Sequence, residues 1–216
     1  MKYLKTRLLI MFIAFAVLGI IMLVGSIRDK IELSKPRGNL ETMTAADFYN
    51  GRFVEGDIIE IWDEYAYMRE TDTFFGITYN TKVTSHSYSM PLPSSFESSS
   101  PKFISLSIRD GELKKTADKI VSETNNYLIN DVVLDDWTSI HIEGKVTKLS
   151  GDNLKLFREY FQEIGGDESN IVAYEVHVGN DGSNSTTGLI VSIVLTLIGL
   201  GGLGFIIARK ILSGSY

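Results

Sequence analysis

Cysteine is absent from the 216 residues of this chain. Its absence excludes disulfides and thiolate metal sites, so stability has to come from an ordinary apolar core. Histidine occurs only 3 times, and no H-E-x-x-H or other spaced ligand set includes it. Charge is missing from two long stretches. Leu8 to Ile27 and Gly188 to Ala208 (GLIVSIVLTLIGLGGLGFIIA) contain no Asp, Glu, Lys or Arg. At about 1.5 Å per helical residue, each run spans roughly 30 Å of hydrocarbon. Both read as transmembrane helices. Neither holds an ionisable residue to mark an ion or substrate path, which disfavours a transporter or channel.

Acid is missing from both ends. All 27 acidic residues lie between the two runs with 16 of the 21 basic ones, a net of −11 for the middle of the chain. A surface of that sign disfavours nucleic acid, because counterion release needs clustered Lys and Arg, and it disfavours lying flat on anionic lipid. The organisation that follows is a tail at 1–7, a span at 8–27, a tethered domain at 28–187, a span at 188–208 and a tail at 209–216. The middle is long enough to bury one core.

Lys2, Lys5 and Arg7 ahead of the first apolar run also suit a signal peptide, with small residues at Val24-Gly25-Ser26. The apolar run is longer than a signal peptide's core of about 7–15 residues, so an uncleaved signal anchor is the better reading. Five basic residues stand in the tails, against Arg28, Lys30, Lys35 and Arg37 on the domain side. The positive-inside rule then predicts a cell-membrane protein with two spans, both termini in the cytoplasm and the domain outside. Gly188, Ser192, Thr196, Gly199 and Gly202 fall within a third of the second helix's circumference. Such a strip suits close helix packing, with the first span or in a homodimer, and is equally compatible with ordinary span composition.

Between the spans, Arg28 to Leu40 reads as a stalk, and Thr44 as the cap of a short helix before Gly51. Phe53 to Trp62 reads as a strand curved by a bulge or bend at Gly56. Tyr65 to Tyr79 and Lys82 to Leu92 read as strands joined near Asn80. Pro91 and Pro93 stop the second. Ser94 to Pro101 is a loop by composition, and Phe103 to Ile108 a strand. Leu113, Ala117, Ile120, Val121 and Leu128 recur at helical spacing. Ile140, Ile142 and Val146 alternate along a strand. Leu154, Phe157, Phe161 and Ile164 form the stripe of a second helix capped at Ser150 or Asp152 and ended by Gly165-Gly166. Ile171 to Val178 is a last strand, and Gly179 to Thr187 a polar tether. Six strands with two late helices predict an α+β domain around a mostly antiparallel, strongly bent sheet, with a small barrel of the oligonucleotide/oligosaccharide-binding (OB) type as one form of it.

Gly51-x-Phe53-Val54-x-Gly56-Asp57-Ile58, Tyr88-x-Met90-Pro91 and Gly144-x-Val146 give the chain a family resemblance. It resembles bacterial two-span membrane proteins with a β-rich extracytoplasmic domain. That resemblance implies the same topology and brings no activity with it.

Candidate chemistry is sparse. Asp181-Gly182-Ser183-Asn184-Ser185 matches the D-x-S-x-S metal signature of von Willebrand A-type domains, but the membrane span follows where that fold needs more strands and helices. It fails as an EF-hand loop for want of the Glu at the twelfth position. Asn184-Ser185-Thr186 is formally a glycosylation acceptor, set against the adjacent bilayer. Ser99 and Lys102 have the S-x-x-K spacing, but Pro101 and the strand-like run after it would not hold them on one helical turn. His86, His141 and His177 each fall in a strand and are expected to face solvent. Glu55, Asp57, Glu60, Asp63 and Glu64 read as a solvated strand face. No catalytic, metal or cofactor set is assigned. The expectation is a non-enzymatic membrane protein whose outer domain binds another envelope protein or a small ligand, or steadies a larger assembly; the competing class is a membrane-tethered hydrolase with a site of unfamiliar pattern.

Overall fold

The computed structural model describes residues 2–74, 77–96, 100–182 and 185–213. Its elements in chain order are α1 (Lys2–Leu33), β1 (Gly38–Asn39), β2 (Phe53–Ile58), β3 (Asp63–Phe74), β4 (Ile77–Pro91), β5 (Phe103–Arg109), α2 (Glu112–Asn130), β6 (Ile140–Lys148), α3 (Gly151–Glu163), β7 (Ile171–Val178) and α4 (Ser185–Ser213). They form two compact units, one of Met1–Lys35 with Gly182–Tyr216 and one of Pro36–Asp181.

The first unit is the helix pair α1 and α4. Thr6–Leu33 and Ser185–Arg209 are long and apolar enough to cross a membrane. The pair is packed by its small residues. A Cβ on Gly19 would lie 2.6 Å from the Thr196 amide nitrogen, one on Gly199 would overlap the Ala16 backbone, and one on Gly202 the Phe12 ring. Ser192 is fully buried and donates its hydroxyl to the Leu189 carbonyl at 2.8 Å. Large side chains such as Ile21, Leu197 and Phe205 point outward. That inversion, small inside and bulky outside, is how helices associate in lipid. Both helices outrun their uncharged stretches. α1 continues through Arg28 to Leu33 where a stalk was expected, because Arg28, Lys30 and Glu32 are good helix formers, and the chain does not break until Pro36. α4 takes in the end of the expected tether, starting at Ser185.

The second unit is an α+β domain built on a seven-stranded sheet of order β1-β2-β6-β7-β5-β4-β3. Pairs β1–β2 and β5–β7 are parallel and the other four antiparallel, so the sheet is mixed. It is open, with β1 and β3 as its edges, and the expected OB-type barrel is not formed. The reason lies in its helices: α2 packs against one face and α3 against part of the other, so the main apolar clusters are buried without closure. The seventh strand, absent from the sequence reading, is the two-residue β1. Edge strand β3 carries Glu64, Arg69, Glu70 and Asp72 and three register shifts, devices that blunt an open edge.

Strand β5 sits near the centre, buried along its whole length from Phe103 to Ile108. Ile104, Leu106 and Ile108 meet Tyr88, Met90, Val176, Ala117 and Ile120 in the larger core beneath α2. On the other face Phe103 joins Leu149, Phe157 and Phe161 of a smaller, aromatic core beneath α3. Burying each of these phenylalanines contributes about 1.5–3 kcal/mol. Thr44 and Asp47 box a short 3₁₀ turn, the Asp47 carboxylate accepting from the Thr44 amide and hydroxyl at 2.8 Å. The β3–β4 reversal lies between Phe74 and Ile77, which are Cα partners, and not at Asn80, which pairs with Asp72 inside the ladder. β2 ends at Ile58 and stays in unbroken register with β6, so Gly56 makes no bulge. Gly144 is needed for close approach: a Cβ there would stand 2.8 Å from the His177 carbonyl oxygen.

The helix pair can be tested by cross-linking. A Cβ on Gly188 would lie 3.3 Å from Ser26 Oγ, the place a cysteine sulfur would take, so two cysteines there stand within bonding reach. The variant Ser26→Cys/Gly188→Cys is expected to cross-link spontaneously within one chain in a membrane, and Gly199→Leu to slow that reaction several-fold. Equal rates with and without Gly199→Leu would contradict the packing.

Candidate binding groove

Period-two alternation decides what each sheet face carries. Along β4, Ser85, Ser87 and Ser89 point one way, and His86, Tyr88 and Met90 the other. Register brings Ser105 opposite Ser89 and Glu175, and Ser107 opposite Ser87 and His177. The α3 face therefore bears a polar band of three strands. Helix α3 covers only its Phe103 end, where the Tyr65 ring lies against those of Phe157 and Tyr160.

At the margin of that cover lies Glu175, 4% exposed. Its carboxylate accepts from Ser105 Oγ at 2.8 Å and Ser87 Oγ at 3.1 Å, and stands 3.2 Å from His177 Nε2. Ser105 is in turn 2.6 Å from the Tyr65 hydroxyl. A buried carboxylate without such donors would cost several kcal/mol, on the order of its desolvation penalty. Burial pushes the Tyr65 phenol up, against the pull of its bond to Ser105. It pushes the Tyr160 phenol up to about 12. Both rings stay neutral at physiological pH.

Beyond this margin the face is uncovered and forms a groove of about 540 Å³. Two other cavities, near Leu40 and near Trp137, hold about 80 and 110 Å³. Only the first is in the size range of a ligand site, about 300–1,000 Å³. Its floor is Ser107 and His177, its walls Met68, Glu70, Lys82 and Ser85, and Arg109, Asp110 and Asn180 complete the rim. Ser107 is 8% exposed, and its hydroxyl has no hydrogen-bond partner among the described residues. Lys82 and Arg109 form no ion pair there either.

The opposite face carries a second polar chain. His86 Nδ1 is 2.8 Å from Glu64 Oε1, Lys114 lies 3.7 Å from Glu64 and 2.5 Å from Asp118, and the Tyr88 hydroxyl donates to Asp118 at 2.7 Å. Burial pushes the Asp118 carboxyl up, but the bonds from Lys114 and Tyr88 outweigh it and leave it below its ordinary value. Burial pushes the Tyr88 phenol far up, with the Asp118 acceptor adding to it.

The residues singled out from sequence are dispersed. His86 is buried rather than solvent-facing, because it lies under α2 with Tyr88. His141 is exposed, 2.8 Å from Asp57, and His177 is partly exposed at the groove. The acidic string is consumed in local contacts: Glu55 with Arg37, Asp57 with His141, Glu60 with the Trp62 indole, Asp63 with the Glu64 amide, and Glu64 with His86. Among the described residues no three metal-ligating side chains stand together. Ser99 of the S-x-x-K pair, and Ser183 and Asn184 of the D-x-S-x-S and glycosylation motifs, lie outside the described residues. Sequence reasoning passed over Ser87, Ser105, Ser107, Arg109 and Glu175. Their signal was the serine alternation S-x-S-x-S at 85–89 and S-x-S at 105–107, which puts hydroxyls where a buried strand would carry aliphatics.

Fold and site together define a class: an α+β domain with one open polar groove, inserted between two apolar helices. The chain belongs to the family described as a domain of unknown function, DUF8577, which matches residues 1–208 and so takes in the domain and almost all of both helices. No curated protein matches the chain.

Two predictions follow from the polar chains. Replacing Glu175 with Ala takes the acceptor away from the Ser87 and Ser105 hydroxyls, with Ser105 keeping its bond to Tyr65, and is expected to destabilise the domain by about 1–3 kcal/mol, read from the denaturant midpoint by circular dichroism. An unchanged midpoint would contradict the network. Because the Asp118 carboxyl lies below its ordinary 3.8, its stabilisation is complete above that value and lost as pH falls through the folded one. Wild type is expected to lose stability more steeply than Asp118→Asn between about pH 5 and pH 2; parallel curves would contradict this.

Proposed function

We propose that this protein is a membrane-anchored binding module of the cell envelope. Two spans hold it in the bilayer, both termini lie in the cytoplasm, and the sheet domain stands outside. The observation that carries the reading is the groove of about 540 Å³, lined by the Ser107 hydroxyl and by Lys82 and Arg109, none of which has a hydrogen-bond or ion-pair partner among the described residues. The Ser107 hydroxyl, 8% exposed, reaches the groove with its hydrogen-bonding capacity uncommitted to any described residue, so a ligand can accept from it without displacing a protein partner.

The outside placement rests on the Lys/Arg count at the span ends and on the charge partition, with an acidic domain between basic tails. Binding is favoured over hydrolysis by the direction of the hydrogen bonds. Ser87 and Ser105 donate to Glu175, and Ser107, though it stands opposite His177 in the β5–β7 register, makes no hydrogen bond to that imidazole among the described residues, whereas an activated serine needs a base within hydrogen-bond reach. The partner is a small ligand, or an envelope protein that presents one to the groove.

Topology is testable without background, because the chain has no cysteine of its own. In intact cells a membrane-impermeant maleimide is expected to label Lys115→Cys in the domain at once, and Leu212→Cys near the C-terminus only after lysis. The reverse pattern would place the domain in the cytoplasm and overturn the reading.

A further inference from the structure

We infer that the groove binds a small zwitterion, a ligand carrying an oxyanion and an ammonium group. This rests on the reading of the groove as the binding site and adds the chemistry of what fills it. The lining holds charges of both signs, Lys82 and Arg109 against Glu70 and Asp110, and none of the four is paired with another among the described residues. Four unpaired charges around one concavity sum to zero. A simple anion would satisfy two of them and be repelled by the other two; a zwitterion meets both sets.

The oxyanion has a defined place. Ser107, 8% exposed and without a hydrogen-bond partner among the described residues, offers its hydroxyl from the floor. His177 stands beside it, one ring nitrogen held by Glu175 at 3.2 Å, which leaves the other edge of the ring free for a ligand. Arg109 shares the strand face with Ser107 two residues on, and supplies the planar guanidinium that suits carboxylate or phosphate oxygens. The ammonium end is met by the carboxylates of Glu70 and Asp110. Two chemical sources carry this pair of groups: an amino-phosphate such as a lipid headgroup, and the backbone ends of a short peptide.

The test is calorimetric titration of the full-length protein in an uncharged maltoside detergent with phosphoethanolamine and with dialanine, against inorganic phosphate and ethanolamine as the two separate halves. At least one zwitterion is expected to bind about tenfold or more tightly than either half. Arg109→Ala and Ser107→Ala are expected to weaken that binding about tenfold or more, with melting curves like that of wild type. Binding of phosphoethanolamine alone assigns a headgroup as the source, and binding of dialanine alone a peptide; either upholds the inference. No zwitterion binding at about 10 mM, halves that bind as well as the whole, or binding indifferent to Arg109→Ala overturns it. The titration does not depend on which side of the membrane the domain occupies. Its failure would therefore leave the topology reading standing, and a reversed labelling pattern would leave the ligand chemistry standing.

Discussion

A carboxylate buried in the middle of a sheet governs the domain. Glu175 is an acceptor with no Lys or Arg against it among the described residues, so its burial is tolerable only if neighbouring strands deliver donors. They do so by register: Ser105 and Ser87 are brought alongside by the parallel β5–β7 pairing and the antiparallel β4–β5 pairing. Any one-residue slip of β4 or β5 would turn these hydroxyls into the aliphatic core beneath α2 and leave Glu175 alone. The same contact sets the boundary between the two halves of the α3 face. On one side, Phe103, Phe157 and Phe161 make a dry aromatic cluster; on the other, His177, Ser107 and Arg109 line the open groove. The network thus fixes register and, through Glu175, holds His177 at the groove.

The helix pair follows a different rule. In lipid there is no hydrophobic drive to bring two apolar helices together, so close contact between small residues and backbone has to supply the attraction. Gly19 against Thr196 and Gly199 against Ala16 are such contacts. Bulky residues go to the outer surface, the reverse of the sheet domain, where Tyr88 and the phenylalanines go inside.

What sequence made legible was whatever depends on local periodicity. The two long apolar helices were readable from missing charge, the two amphipathic helices from Ala117, Ile120, Phe157 and Phe161, and the strands from alternation. The small-residue strip on α4 was visible as well, though its facing partner needed coordinates. What depends on pairing was not legible. Sheet closure turns on which strands become edges, and nothing local in Gly38-Asn39 announces a two-residue parallel strand. His86 is a polar residue in a strand and so is expected to face solvent, whereas β4 is covered on its His86 and Tyr88 face by α2. The hairpin reversal was misplaced because Asn80 is a common turn residue, while the ladder carries it past that point. The groove was invisible because its residues come from β3, β4, β5 and β7, and only their register makes Ser107, His177 and Arg109 neighbours.

The most direct test of a ligand-binding groove is to place a photo-reactive side chain in it within the native membrane. Benzoylphenylalanine at Met68, on the groove wall, and at Glu112, an exposed residue outside the groove lining, would be irradiated in cells and the adducts identified by mass spectrometry. The account predicts a discrete adduct of defined mass from position 68 that is lost with Arg109→Ala, and none of that mass from position 112. Identical adducts at both positions, or none at position 68 that depends on Arg109, would contradict it.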